Sequence, residues 1–211
     1  MMDLKQSIPH IVLLDDLVNK YGTHKQSEMI DLTYKHKISL RLIAHNAGYD
    51  FRFLLKYLYN VDTIEKANSV MSCKALVYNR DLVLSIEIRD SLKMINMPLR
   101  NFGVCFNLDV KKEIMPYSLY TEENVLEKFL DINYCLSFVN KNDKEEYIEN
   151  CNKWECINDE KIDIIKYAGE YCYMDCMTLK KGYEKFQELV EEATGQNITE
   201  YLTLASMADD Y

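Results

Sequence analysis

Apolar residues recur along this chain at two periods, and the change between them marks out its elements. Residues 11–19, IVLLDDLVN, and about 26–36 carry apolar side chains at helical spacing and predict two short helices, a helical lead-in over residues 1–37. Leu40 to Ala44 is a compact apolar run of strand length that stops at His45-Asn46. Gly48 permits a tight turn, and Leu54, Leu55 and Leu58 in FRFLLKYL then repeat at helical spacing. The segment therefore reads as strand, turn and helix, with Asp50 at the mouth of the helix.

From Ser69 to Ser91 the period becomes two. Leu82, Leu84, Ile86 and Ile88 alternate with Val83, Ser85, Glu87 and Arg89, and two such runs hinged at Asn79-Arg80-Asp81 predict a hairpin. Pro98 opens a predicted helix through Phe106, and LDVKKEIMPY follows as extended chain or loop. Residues 118–160, centred on KNDKEEYIENCNKWECINDE, are polar enough to predict an inserted surface excursion with helical pieces and no chemistry. Beyond Asp163 a long amphipathic helix is expected to about Glu192, its stripe formed by Ile164, Ala168, Tyr171, Cys172, Leu179, Tyr183, Phe186 and Val190.

Composition adds bounds. With 211 residues, 48% hydrophobic and 28% charged, and only three prolines and six glycines, the chain can bury one sizeable core and is not a disordered segment. A net charge of -9 argues against a free-standing nucleic-acid binder with a basic surface, although a groove can be locally basic and neighbouring domains can supply a positive channel. Seven cysteines without C-x-x-C spacing, with no secretory leader and no long apolar run, imply reduced thiols in an intracellular, reducing compartment and no membrane partner. Cys172 and Cys176 share a helical face, where they either fill the core or hold a metal.

Two stretches carry candidate chemistry. Tyr171 and Asp175, in EYCYMDC, lie one helical turn apart, so both project from one face. A carboxylate in an apolar stripe needs compensation, which metal coordination, a buried hydrogen-bond network or a place at the stripe's edge could each provide. Asp50, in AHNAGYDF, follows a turn where aspartate commonly caps a helix, and His45 and Asn46 are ordinary turn residues. From the residues alone these alternatives stay open.

Together AHNAGYDF, DSLKMINMPLRNFGVCFNLDVKKEIMPY and YAGEYCYMDCMTLKKGYEKF resemble the exonuclease domain of family B DNA polymerases, most nearly the protein-primed branch of linear plasmids and viruses. The resemblance runs from about residue 38 to the end. It implies an α/β, RNase H-like exonuclease domain over residues 38–200, a mixed sheet flanked by helices, with residues 201–211 opening the transition to a polymerase domain. It also implies a part in DNA replication and 3′-5′ proofreading. By this resemblance Asp50 and Asp175 are metal ligands for Mg²⁺ or Mn²⁺, Tyr171 positions the attacking water, and Lys112, spaced from Met115 as in the branch's lysine motif, is the catalytic lysine. His45, Asn46 and Tyr49 would line the pocket for a single-stranded DNA 3′ end, with Ser91, Leu92 and Tyr117 as further strand contacts. The remaining polymerase domains or a terminal protein would be its partners. In bland terms, Lys112 is a solvated lysine and Tyr49 and Tyr117 two of sixteen tyrosines.

One part of the pattern is absent. Two-cation phosphodiester hydrolysis needs several carboxylates, and the family's Asp-x-Glu pair on an early strand has no suitable copy here. Asp15 and Asp16 are adjacent, which on a strand sends them to opposite faces, and Asp143 with Glu145 sits in the polar stretch far downstream. The expectation is a chain that lacks the N-terminal strands bearing that motif, a fragment, split-gene product or decayed copy that is a poor nuclease alone and cannot polymerise. Two alternatives are a non-catalytic protein that binds single-stranded DNA or a polymerase, and a nuclease completed by acids from a partner chain.

Overall fold

The computed structural model describes residues 36–66, 69–79, 82–110 and 112–210. In chain order the elements are β1 (His36–Ala44), α1 (Gly48–Leu54), β2 (Tyr59–Lys66), β3 (Ser69–Asn79), β4 (Leu82–Asp90), α2 (Phe102–Cys105), α3 (Glu122–Glu127), β5 (Phe129–Asp131), α4 (Ile132–Ser137), α5 (Lys144–Lys153), β6 (Ile157–Asn158), β7 (Lys161–Asp163), α6 (Ile164–Thr194) and α7 (Leu204–Asp209). The chain divides into two units, one of residues 1–98 with 182–211 and one of residues 99–181. The two helices expected within 1–37 lie outside the described residues, except that His36 opens β1. Among the described residues no helix is long and apolar enough to cross a membrane.

The first unit is built on a four-stranded mixed sheet ordered β1-β4-β3-β2, with β1 parallel to β4 and the other pairs antiparallel. Period-two alternation becomes rows across the sheet: Leu42 pairs with Ile88, which pairs with Cys73, and Leu40 with Ile86, which pairs with Ala75. These rows form the core, joined by Leu84, Val77, and Ala47 and Phe51 from the α1 region. The expected hairpin is present as β3 and β4, while its turn residues Arg80 and Asp81 lie outside the described residues. On the opposite face charged side chains of β1 and β4 meet the C-terminal segment. Arg41 Nε donates to Glu87 Oε2 at 2.7 Å, Arg89 Nε donates to Glu87 Oε1 at 3.0 Å, and both arginines donate to the Thr199 carbonyl.

The second unit has its own core. Residues 118–160, expected to be a polar surface excursion, instead supply most of it: Leu119, Leu130, Cys135, Val139, Tyr147, Cys151, Trp154 and Cys156 are buried with Ile162, Ile164, Tyr167 and Tyr171. Core positions here are widely spaced on short elements, so charged neighbours dominate the composition. A small antiparallel sheet β5-β7-β6 places Leu130 and Ile157 both opposite Ile162. At the aromatic centre the Tyr167 ring lies 4.7 Å from that of Tyr147 in a tilted arrangement and 4.9 Å from that of Trp154 edge-to-face.

Helix α6 begins where expected. Asp163 Oδ1 accepts from the amides of Ile165 and Lys166 and satisfies two of the helix's free N–H groups. Cys172 and Cys176 are both exposed, so neither fills the core as the packing reading required. The stripe runs instead through Ile164, Tyr167, Tyr171 and Thr178.

Candidate nuclease site

In the first unit, the C-terminal ends of the parallel strands β1 and β4 carry His45-Asn46 and Ser91-Leu92 side by side, since Ala44 and Asp90 are register partners. Asn46 has φ +67°, the left-handed region that asparagine tolerates better than most residues, and its carbonyl accepts from Tyr49 N at 3.2 Å. That turn reverses the chain into α1. Asp50 sits in the first turn of α1, and the preceding cap position is Ala47 without a side-chain hydrogen bond, so Asp50 is not the cap that its spacing suggested.

A polar network joins these loops. The Ser91 hydroxyl donates to the Ala44 carbonyl at 2.9 Å and lies 3.0 Å from His45 Nδ1. His45 Nε2 is 2.9 Å from the Met97 carbonyl, which can only accept, so Nε2 carries a hydrogen. Asp90 Oδ1 accepts from Asn46 N at 2.9 Å and from Leu92 N at 3.0 Å. The predicted strand contacts His45, Asn46, Ser91 and Leu92 are thus brought together. Burial, aided by the charge of Asp90, raises the Asp50 carboxyl above its ordinary range even though the residue keeps part of its surface in solvent. Tyr49 is 65% exposed and meets Phe53 edge-to-face with ring centroids 5.3 Å apart. Phe53, 60% exposed, and Asp90 escaped the sequence reading.

In the second unit, the two residues that follow Lys112 are both anchored. The Ile114 carbonyl accepts from the Tyr167 hydroxyl at 2.7 Å, and the buried Glu113 accepts from Asn150 Nδ2 at 3.1 Å. Lys112 Nζ donates to Asp175 Oδ2 at 2.6 Å and to the Tyr171 hydroxyl, and lies 5.0 Å from the Tyr171 ring centroid. The Tyr117 hydroxyl is 2.8 Å from that of Tyr171, although Tyr117 is 67% exposed. Lys112, Tyr117, Tyr171 and Asp175, four residues that sequence reasoning singled out, form one cluster. Burial raises the Tyr171 phenol far above its ordinary value, with Tyr117 and Asp175 adding to the shift, so the hydroxyl stays protonated at neutral pH.

The fit to a cation is incomplete. Asp175 Oδ1 is buried and meets no hydrogen-bond partner among the described residues. Its other oxygen is engaged by Lys112, and among the described residues no three His, Cys, Asp or Glu side chains cluster as metal ligands. The described acids therefore do not by themselves make a cage for a cation.

Comparison with known proteins places the chain. The family model for DNA polymerase type B, organellar and viral, matches residues 33–210. A probable DNA polymerase of Ascobolus immersus is 26% identical over 182 residues, which cover 79% of this chain and 14% of that protein. The chain therefore spans about a seventh of the length of that curated relative. Phi29 DNA polymerase complexed with single-stranded DNA, a solved structure, is 20% identical over 44% of this chain and 19% of its own, at a TM-score of 0.30, a superposition too loose to place a fold or a site. With the family match spanning most of it, the chain belongs to the organellar and viral type B DNA polymerases.

Proposed function

We propose that this chain is the exonuclease-domain part of a protein-primed type B DNA polymerase with an RNase H-like fold, which receives single-stranded DNA 3′ ends for proofreading. The observation that supports this best is the cluster of Lys112, Tyr117, Tyr171 and Asp175. Hydrolysis of a terminal phosphodiester needs an oriented water, a positive charge to neutralise the phosphate and a carboxylate. A protonated Tyr171 orients the water, Lys112 meets the phosphate and Asp175 offers its unpartnered Oδ1. Asp50 and Asp175 are proposed as two of the carboxylates that hold Mg²⁺ or Mn²⁺ in the complete enzyme. When bound, those cations would activate water and stabilise the leaving oxygen. His45, Asn46, Ser91 and Leu92 bind the strand end, and Tyr49 and Tyr117 stack on frayed bases without sequence preference. Partners in this reading are the remaining polymerase domains or a terminal protein.

Because the acidic set is short, the chain alone is a poor nuclease. Incubation with a 3′-tailed primer and Mg²⁺ or Mn²⁺ tests this: little digestion is expected, and robust digestion abolished by Asp175→Ala would overturn it. A second reading, a non-catalytic protein derived from this domain that binds single strands, rests on the exposed rings of Tyr49, Phe53 and Tyr117. It requires strand binding that weakens steeply with salt and no cleavage even when a separate segment bearing an Asp-x-Glu pair is supplied.

A further inference from the structure

We infer that Asp90 is a positioning residue for the strand-end loops, holding Asn46 and Leu92 in place through one carboxylate oxygen. The inference rests on the strand-binding reading for its purpose, but its geometry is independent of that reading. Asp90 occupies the last position of β4 and continues the inward row Leu84, Ile86, Ile88, so it points toward the apolar side of the sheet. It is 3% exposed. A carboxylate that deep is stable only with donors around it. Two of them are backbone amides, Asn46 N at 2.9 Å and Leu92 N at 3.0 Å, both on Oδ1, and Lys93 Nζ lies 3.9 Å from Oδ2.

The two amides belong to different loops, one after β1 and one after β4, so a single side chain ties together segments 44 positions apart. The amide it holds on the β1 side is that of the left-handed Asn46, a conformation that persists only where its surroundings over-determine it. Ser91, the residue following Asp90, completes the tie through Ala44 and His45. Without the carboxylate, Asn46 N and Leu92 N lose their acceptor, and the turn that sets the direction of Tyr49 and Asp50 loses its anchor. Asp90 itself is too buried to touch a DNA strand. Its effect on binding passes through the residues it orients.

The test uses the full chain as wild type, Asp90→Asn and Asp90→Ala, isotope-labelled for NMR. Asparagine keeps an oxygen in the same place, whereas alanine removes it. In wild type, through-hydrogen-bond couplings are expected from Asn46 N and Leu92 N to the side-chain carbon of Asp90. Amide exchange at those two positions should quicken about ten-fold or more in Asp90→Ala, with the amides of Ile86 and Ile88 unchanged. Affinity for a fluorescent oligo-dT should fall about five- to ten-fold in Asp90→Ala and stay within about two-fold in Asp90→Asn. Equal losses in both variants, quickened exchange throughout the sheet, or unchanged exchange at Asn46 and Leu92 would overturn the inference. Should Asp90→Ala not fold, the wild-type couplings decide, their absence overturning it and their presence supporting it. A wild-type chain that shows the couplings and the selective exchange but does not hold oligo-dT defeats the strand-binding reading alone.

Discussion

Lys112 Nζ and Asp175 Oδ2 meet at 2.6 Å across 63 positions of sequence, joining an extended segment to the middle of helix α6. Both side chains are partly shielded, at 28% and 22% exposure, so the pair is screened less than a surface ion pair and its worth depends on the cluster around it. A double-mutant cycle with Lys112→Met and Asp175→Asn should give a coupling of about 1–2 kcal/mol in urea unfolding. On the proposed function, Lys112→Ala in a polymerase carrying this chain should lower 3′ excision by about 10²–10³-fold, the cost of removing one electrostatic stabiliser. Excision unchanged in that variant would remove Lys112 from the proposed chemistry.

Alkaline pH should unfold the second unit early. Burial raises the phenols of Tyr120, Tyr147, Tyr167 and Tyr171 above their ordinary range, and pushes the thiols of Cys135 and Cys156 to about 11 and of Cys151 to about 12. Each of these groups holds its proton more tightly folded than unfolded. The stability it contributes is therefore complete below the unfolded value, about 8.5 for cysteine and about 10 for tyrosine, and declines as pH rises toward the folded one. Urea unfolding under reducing conditions should be level from pH 6 to 8 and fall progressively above about pH 9, by as much as ~1.4 kcal/mol per pH unit for each group titrating. A profile flat to pH 11 would contradict the burial of these side chains.

Thiol reactivity sorts the cysteines. Cys105, Cys172 and Cys176 are exposed, whereas Cys73, Cys135, Cys151 and Cys156 are buried. A disulfide reagent at pH 8 should modify the first group within minutes and the second only after denaturation, because the buried thiols are out of reach and burial also raises their pKa. Mass mapping of the labelled peptides checks the assignment, and rapid labelling of Cys73 would place the core of the first unit wrongly.

The sheet should be sensitive at its centre and tolerant at its rim. Ile86 is 1% exposed and flanked by Leu40 on β1 and Ala75 on β3, so Ile86→Ala should cost about 2–5 kcal/mol in urea unfolding. Ile64, on the outermost strand β2, is largely exposed, and Ile64→Ala should stay within about 0.5 kcal/mol. Similar losses at the two positions would mean that the strand order is different.

Elements that bury one regular face were legible, and those that bury scattered positions were not. The period-two run from Leu82 to Ile88 and the apolar stripe beginning at Ile164 announce β4 and α6, because their core residues recur at the element's own spacing. Strand β2, YNVDTIEK, carries little inward pattern, since it pairs on one side only and is held by its ladder to β3. The core of residues 118–160 was hidden for a related reason: Tyr147, Cys151, Trp154 and Cys156 converge from a short helix and the loop after it, amid many charges. Asp90 had a signal that went unused, a carboxylate continuing the inward row Leu84-Ile86-Ile88, overlooked beside the more suggestive Ser91-Leu92.

By itself the amino-acid order determined the local grammar of this protein: the long helix α6, the hairpin, a turn between β1 and α1, and Tyr171 with Asp175 on one helical face, each a consequence of backbone periodicity and short-range sterics. Its motifs also carried the family. Only the tertiary structure decided that Lys112 and Tyr117 close on Tyr171 and Asp175, that one oxygen of Asp175 is buried without a hydrogen-bond partner, and that a buried Asp90 joins two loops. Those relationships depend on which distant segments share a core, and hydrophobic burial selects that through the whole chain at once, with polar groups then paired wherever burial has left them.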